Sequence, residues 1–143
     1  MPSELTSDQV MRVVAALEAA WADDRGALAA LVRGGHGEQP LAVLVAQYGA
    51  SRAERALLFV TGIAGIEGAD RQEALAQLRK DPLKRMTTVA LGMRCGWARS
   101  AGDDVRATGD LARHVLRALC PSPRTATTRS RYKHCLPTCD QTP

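Results

Sequence analysis

Aromatic side chains are scarce in this chain, at 3% of its residues, with a single phenylalanine. Before residue 121 no segment alternates apolar and polar residues over the length of a strand, which is the pattern of a half-buried strand. These two absences disfavour sheet folds and RNA-binding platforms built on exposed rings. Hydrophobic residues still make up 45% of the chain and charged residues 24%, which is the composition of a folded domain.

Long apolar runs are also missing. The longest mostly apolar stretch covers residues 56–66, between Arg55 and Glu67, whereas a membrane-spanning helix needs roughly 20 residues. The first ten residues, MPSELTSDQV, contain no cationic stretch followed by an apolar run, so they do not resemble an export signal. We therefore expect a cytoplasmic protein that has no membrane partner.

Cysteines are few, and their spacing is not that of a zinc site. His134, Cys135 and Cys139 are residue types that bind zinc, but they do not form the paired Cys-x-x-Cys pattern. In a reducing cytosol, free thiols are the default state for Cys95 and Cys120 as well. The sequence therefore predicts no metal and no other cofactor.

The basic charge is concentrated at the C-terminal end. Of the net charge of +4, residues 1–120 contribute +1, from 15 Lys/Arg against 14 Asp/Glu, and residues 121–143 contribute +3, from 4 against 1. The second segment is rich in proline, threonine and arginine and has few large apolar side chains to offset the entropy of ordering. We predict a helical domain over residues 1–120 and a disordered basic tail over residues 121–143.

Start and stop signals predict several short helices within residues 1–120. The first begins at a capping box formed by Thr6 and Gln9, and apolar residues then recur at three- and four-residue steps. The second runs from the end of the Asp23-Asp24 pair to Gly34. The third begins at Pro40 and ends at Gly49.

A second capping box, Ser51 with Glu54, predicts a fourth helix that reaches Ala64. Because this segment is apolar nearly all round after Arg55, we expect it at the centre of the core. A fifth helix is predicted from Asp70 to Asp81.

Pro82 begins a sixth helix, and a last helix includes Asp110–Cys120, with its start left open as far back as Asp103. The sixth carries Gly92 and Gly96, a spacing that allows close helix packing. The predicted fold is all-α, an irregular bundle of six to seven short helices followed by a disordered tail. The apolar stripe of the sixth helix consists of Leu83, Met86, Val89, Ala90, Met93 and Trp97.

Residues 41–66 resemble a degenerate helix-turn-helix hairpin with Gly49 at the turn. Val45 stands where that motif usually has a small residue, and Arg55 stands where it has an apolar one, so an ordinary helical hairpin is favoured. In the alternative, a DNA-associated regulator, either Arg52 and Arg55 would contact phosphates or bases or the basic tail would contact the nucleic acid.

Four basic residues surround the junction at Asp81. Cations near a helix C-terminus are favoured by the helix dipole, so a solvated surface is the preferred interpretation. The alternative is contact with an anion or an acidic partner. The four residues are Arg79, Lys80, Lys84 and Arg85.

The glycine-rich loop over residues 33–38 precedes a helix and is interpreted as a connector. If it were a site, His36 would be the natural general base, but no second catalytic group can be placed beside it. No catalytic residue is therefore assigned, and whether the chain is an enzyme is left open.

These observations favour a small helical protein-interaction or regulatory module that binds another protein or itself. Two alternatives are retained: the DNA-associated regulator, and a small ligand-binding protein or enzyme built around residues 33–38.

Overall fold

A computed structural model describes residues 4–34 and 37–120, which form six α-helices, one turn of 3-10 helix and, within those ranges, no strand. The predicted all-α bundle is confirmed, while the predicted tail over residues 121–143 lies outside the described residues. The helices are α1 Ser7–Trp21, α2 Arg25–Arg33, α3 Leu41–Val60, α4 Gly68–Lys80, α5 Pro82–Ala101 and α6 Val105–Leu119, and the 3-10 turn is Ile63–Gly65.

Several helices have an N-terminal cap, in which a side chain accepts a hydrogen bond from a backbone amide of the first turn. Thr6 Oγ1 accepts a hydrogen bond from the Gln9 backbone N–H at 3.3 Å, and Gln9 Oε1 accepts one from the Thr6 N–H at 2.9 Å. This confirms the predicted capping box of α1. Asp24 and Asp104 each accept a hydrogen bond from the amide three residues later, at 2.9 Å, so α6 begins directly after Asp104.

The core lies where α1, the first half of α3 and α6 pack together, with α2 covering α1 and α6. Thr108 is also fully buried there, and its hydroxyl donates to the Asp104 carbonyl at 2.7 Å, so its polar atom is satisfied. The largest fully buried apolar side chains are Val13, Leu41, Leu44, Val45, Leu111 and Val115.

Two glycines allow close approach of helices at this core. A Cβ added to Gly49 of α3 would lie 3.0 Å from Val115 Cγ1, and one added to Gly109 of α6 would lie 2.9 Å from Leu28 Cδ2. Any larger side chain at either position would have to displace the neighbouring helix or its side chain. Gly49 therefore allows α3 and α6 to pack closely together.

The predicted break at Gly49, and with it the helix-turn-helix-like hairpin over residues 41–66, is wrong. α3 continues through Gly49 and Ser51 to Val60, and Gly49 is not among the glycines with positive φ. A single glycine costs a helix only about 1 kcal/mol, and a Cβ at this position would lie in tight contact with Val115. Ser51, predicted as a cap, is an exposed residue within the helix.

The second half of α3 does not lie at the centre of the core, contrary to the prediction. Phe59 and Val60 are 79% and 81% exposed, and the chain turns at Gly62, whose φ is +75°. The following 3-10 turn buries Ile63. Arg71 of α4 holds this turn by donating to the carbonyls of Ile63 and Ile66 at 3.2 and 3.3 Å.

α4 begins at Gly68, two residues before the predicted start, so Asp70 lies in its first turn and does not cap it. Leu78 is the one residue buried among those of α4. α5 begins at Pro82 as predicted, and Asp81 accepts from the Leu83 N–H at 2.7 Å. α5 then runs along α3 toward the core.

Candidate functional site

α5 has apolar residues on two faces, and only one of them packs against the rest of the domain. On the inner face Ala98 is fully buried, and Cys95 packs partly buried against the core. Lys84, near the start of α5, contacts Glu54 in the second half of α3, whereas Ala98 joins the core that the first half of α3 helps to form. The two helices are therefore antiparallel, and the inner face of α5 lies against α3.

The opposite face of α5 is an exposed row of large apolar side chains. Met86, Val89 and Met93 are 71%, 63% and 73% exposed. Residues spaced by three and four positions share one side of a helix, so the row is continuous. We call it the outer stripe; it consists of Leu83, Met86, Val89, Met93 and Trp97.

The sequence pattern indicates an ordinary packing face at these positions, and here the structure differs. Periodicity shows that these side chains belong together, but α5 uses its other side to contact α3 and α6. The predicted close packing at Gly92 and Gly96 is also not found within the described chain. A Cβ added at either glycine would meet no atom within 4 Å.

Trp97 closes the outer stripe at its C-terminal end, beside α6. Its ring lies edge-on to the His114 ring, with centroids 6.3 Å apart and an angle of 69° between the planes. Both side chains are exposed, and Trp97 is 41% exposed. The aromatic pair places the C-terminal end of the outer stripe next to α6.

The four basic residues at the junction between α4 and α5 do not act as one group. Lys84 Nζ lies 3.1 Å from Glu54 Oε1 of α3, so its charge is compensated within the domain. Arg79 and Lys80 lie in the last turn of α4, where the helix dipole favours cations, and Arg85 is exposed on α5. Three of the four side chains are exposed, and an anion or partner contact here stays a prediction.

The residues proposed for DNA contact are not presented by a second helix of a hairpin. Arg52 Nε donates to the Tyr48 hydroxyl at 3.2 Å, and its guanidinium carbon lies 5.3 Å from the centre of that ring. Arg55 is exposed on the same continuous helix. The DNA alternative thus loses the motif that suggested it and stays a prediction.

The loop before α3 is engaged in structural contacts where it is described. Arg12 of α1 donates to the Leu31 carbonyl from Nη2 at 2.8 Å and from Nε at 3.3 Å, and its Nη1 lies 2.9 Å from Glu38 Oε2. Glu38 therefore helps to join α1 to the end of α2. His36, the residue considered as a general base, lies outside the described residues.

A cleft of about 340 Å³ lies between α1, α2 and α6. Its charges are partly paired: Arg113 lies 3.4 Å from Asp23 and 2.6 Å from Asp110. Over residues 4–34 and 37–120 no three His, Cys, Asp or Glu side chains are grouped closely enough to hold a metal ion. The zinc-binding residue types at His134, Cys135 and Cys139 are outside those ranges.

Within the part of the chain that the structure describes, every helix is too short or too polar to cross a membrane. Comparisons with protein families, with curated protein sequences and with solved structures returned no match. The outer stripe of α5 is the feature of the described surface that most needs a functional explanation.

Proposed function

We propose that this protein is a small helical protein-interaction module that binds its partner along the outer stripe of α5. The observation that carries the proposal is the continuous row of five large apolar side chains left in contact with water. Burying such surface is favourable by about 25 cal/mol per Å², so a partner that covers it gains binding energy. Single exposed apolar residues are common in proteins, but contiguous rows typically mark interaction sites.

The position of the outer stripe supports this role. It lies on a regular helix that is held by α3 on one side and by its Asp81 cap at the start, so a partner meets a preformed surface. Binding to a preformed surface loses less conformational entropy than binding to a segment that must first fold. No catalytic constellation competes for this face, since the exposed side chains are apolar.

A photo-crosslinking experiment tests the proposal. The photoreactive residue benzoylphenylalanine replaces Met93 of the outer stripe. The matched control carries it at Met11, a methionine of α1 that is 58% exposed. Both full-length variants are irradiated in native lysate, and adducts are identified by mass spectrometry. We expect one defined adduct from position 93 and none from position 11.

A charge substitution in the crosslinking variants distinguishes specific binding from nonspecific hydrophobic adsorption. Met86→Asp places a charge on the outer stripe, two helical turns from position 93, and is expected to abolish the adduct, while Met11→Asp leaves it intact. An absence of adducts at position 93, or equal adducts from both positions, would overturn the proposed function.

A further inference from the structure

We propose that the occupant of the outer stripe is an amphipathic helix of a partner protein whose apolar seam is flanked by acidic residues. This inference rests on the proposed function and adds the chemistry of the partner. It is supported by the charge of α5 and by the open glycines beside the outer stripe. These features also make a second copy of α5 and the C-terminal segment poor occupants.

The charge of α5 is of one sign. Between residues 82 and 101 there are four basic residues and no Asp or Glu. Lys84 is compensated by Glu54, but among the described residues no ion pair involves Arg85, Arg94 or Arg99. A partner with carboxylates beside its apolar residues would pair with these guanidinium groups, which bind carboxylates well.

Two open glycines beside the outer stripe allow a helical occupant to approach closely. Gly92 and Gly96 lie four residues apart, next to Met93 and Trp97, and a Cβ at either would face open space. Small residues at this spacing let a second helix bring its backbone close, because no side chain separates the two. A lipid surface would gain no contact from bare backbone.

A second copy of the same face is a poor occupant. Two α5 helices would bring together two sets of three uncompensated arginines with no carboxylate. In an antiparallel pair that sets Val89 beside Met93 of the second copy, Arg85 would lie level with Trp97 and two residues from Arg99 of that copy. Like charges at these flanking positions oppose pairing.

The C-terminal segment of this chain is also a poor occupant. Residues 121–143 carry four Lys or Arg against one Asp and contain few large apolar residues, so they would add positive charge to a positive face. An acidic helix supplied by another protein fits both the charge and the shape.

Binding of designed peptides to the full chain tests the inference. Three labelled helical peptides of equal length are compared by fluorescence polarisation: a leucine seam flanked by Glu, the same seam flanked by Lys, and the Glu peptide with its seam changed to Ser. We expect the first to bind about tenfold more tightly than the second, and the third not to bind. The preference should decrease as salt is raised.

Charge reversal on α5 provides the decisive variant. Arg85→Glu with Arg99→Glu should reverse the preference in favour of the Lys peptide. The matched control, Arg25→Glu with Arg33→Glu, changes the net charge equally on α2, which packs on α1 and α6, and should leave the preference unchanged. Circular dichroism checks that each variant is folded.

Several outcomes would overturn the inference. Equal affinity for the Glu and Lys peptides would do so, as would an unchanged preference in the α5 charge variant. Dimerisation in light scattering that Met93→Asp removes would identify a second copy as the occupant. Binding to vesicles of phosphatidylcholine and phosphatidylserine that Met93→Asp removes would identify a membrane surface instead.

The two proposals can fail separately. If position 93 gives a specific adduct but the peptides are not discriminated by charge, the interaction function stands and the acidic helix is wrong. If position 93 gives no adduct, the interaction function itself is wrong, whatever the peptides do.

Discussion

Gly49 shows how one residue without a side chain determines the distance between two helices. Its position in α3 is helical and buried, and a methyl group added there would lie 3.0 Å from Val115 Cγ1. From sequence alone this glycine indicated a turn, because glycine is a common helix terminator. The partner residue, 66 positions later in the chain, is what determines its role.

We predict that Gly49→Ala lowers the free energy of unfolding by about 1 kcal/mol. Alanine gains up to about 1 kcal/mol of helix propensity, but overpacking a core costs about 1–3 kcal/mol. Gly96→Ala is the matched control in α5, where the added methyl meets open space, and it should stabilise the protein by up to about 1 kcal/mol. Urea denaturation measures both, and equal stabilisation by the two changes would contradict a tight crossing at Gly49.

Arg12 joins three parts of the chain through one guanidinium group. It donates hydrogen bonds to the Leu31 carbonyl, which lies in the C-terminal turn of α2, and it forms an ion pair with Glu38. The side chain is 14% exposed, so the bonds to the carbonyl are shielded from water more than the pair with the half-exposed Glu38.

We predict that Arg12→Ala costs about 1.5–3 kcal/mol of stability, the range for hydrogen bonds to charged groups. Arg12→Lys should recover only part of this, because an ammonium group lacks the fork that reaches both acceptors. Glu38→Gln should cost under about 1 kcal/mol, as exposed ion pairs do. A loss for Glu38→Gln as large as that for Arg12→Ala, measured by thermal melting, would show that the ion pair dominates.

At the scale of the helix, some starts were predicted correctly from local signals, whereas the Ser51 cap and the break at Gly49 were wrong. The choice between the two faces of α5 was not predicted. The capping box at Thr6 and the start of α5 at Pro82 depend on neighbouring residues, so the sequence contained all the required information. The inner and outer faces of α5 are both apolar, and only the position of α3 decides which one is buried. The outer stripe was visible in the sequence as a pattern, but its exposure was not.

We predict that α5 tolerates substitution on its outer face and not on its inner face. Met93→Gln should change stability by at most about 0.5 kcal/mol, because the side chain is 73% exposed. Ala98→Leu should cost about 1–3 kcal/mol, because Ala98 is fully buried and the added atoms have no space. Comparable losses in thermal melts of the two variants would mean that Met93 is buried in solution, for example within an oligomer.

At the scale of the whole molecule, burial is uneven. The core residues lie on α1, α2, the first half of α3, the end of α5 and α6, whereas Ile63 and Leu78 are the buried residues from position 50 to position 97. Few buried apolar contacts mean a low free energy of local opening. The segment from Ser51 to the start of α5 therefore depends on few interactions.

We predict that backbone amides of α4 exchange with deuterium at least about tenfold faster than those at the centres of α1 and α6. Native-state hydrogen exchange followed by mass spectrometry measures the difference. If a partner covers the outer stripe, exchange along the first half of α5 should slow when it binds. Equal exchange rates in all six helices would contradict the prediction that α4 opens more readily than α1 and α6.

The edge-on pair of Trp97 and His114 at the end of α5 gives the protein an intrinsic optical signal. Indole emission shifts to shorter wavelength when water leaves the ring, so docking can be followed without attaching a dye. Replacing Trp21 with Phe would leave Trp97 as the single tryptophan. The fluorescence of Trp97, at the C-terminal end of the outer stripe, would then report binding and dissociation of the partner in real time.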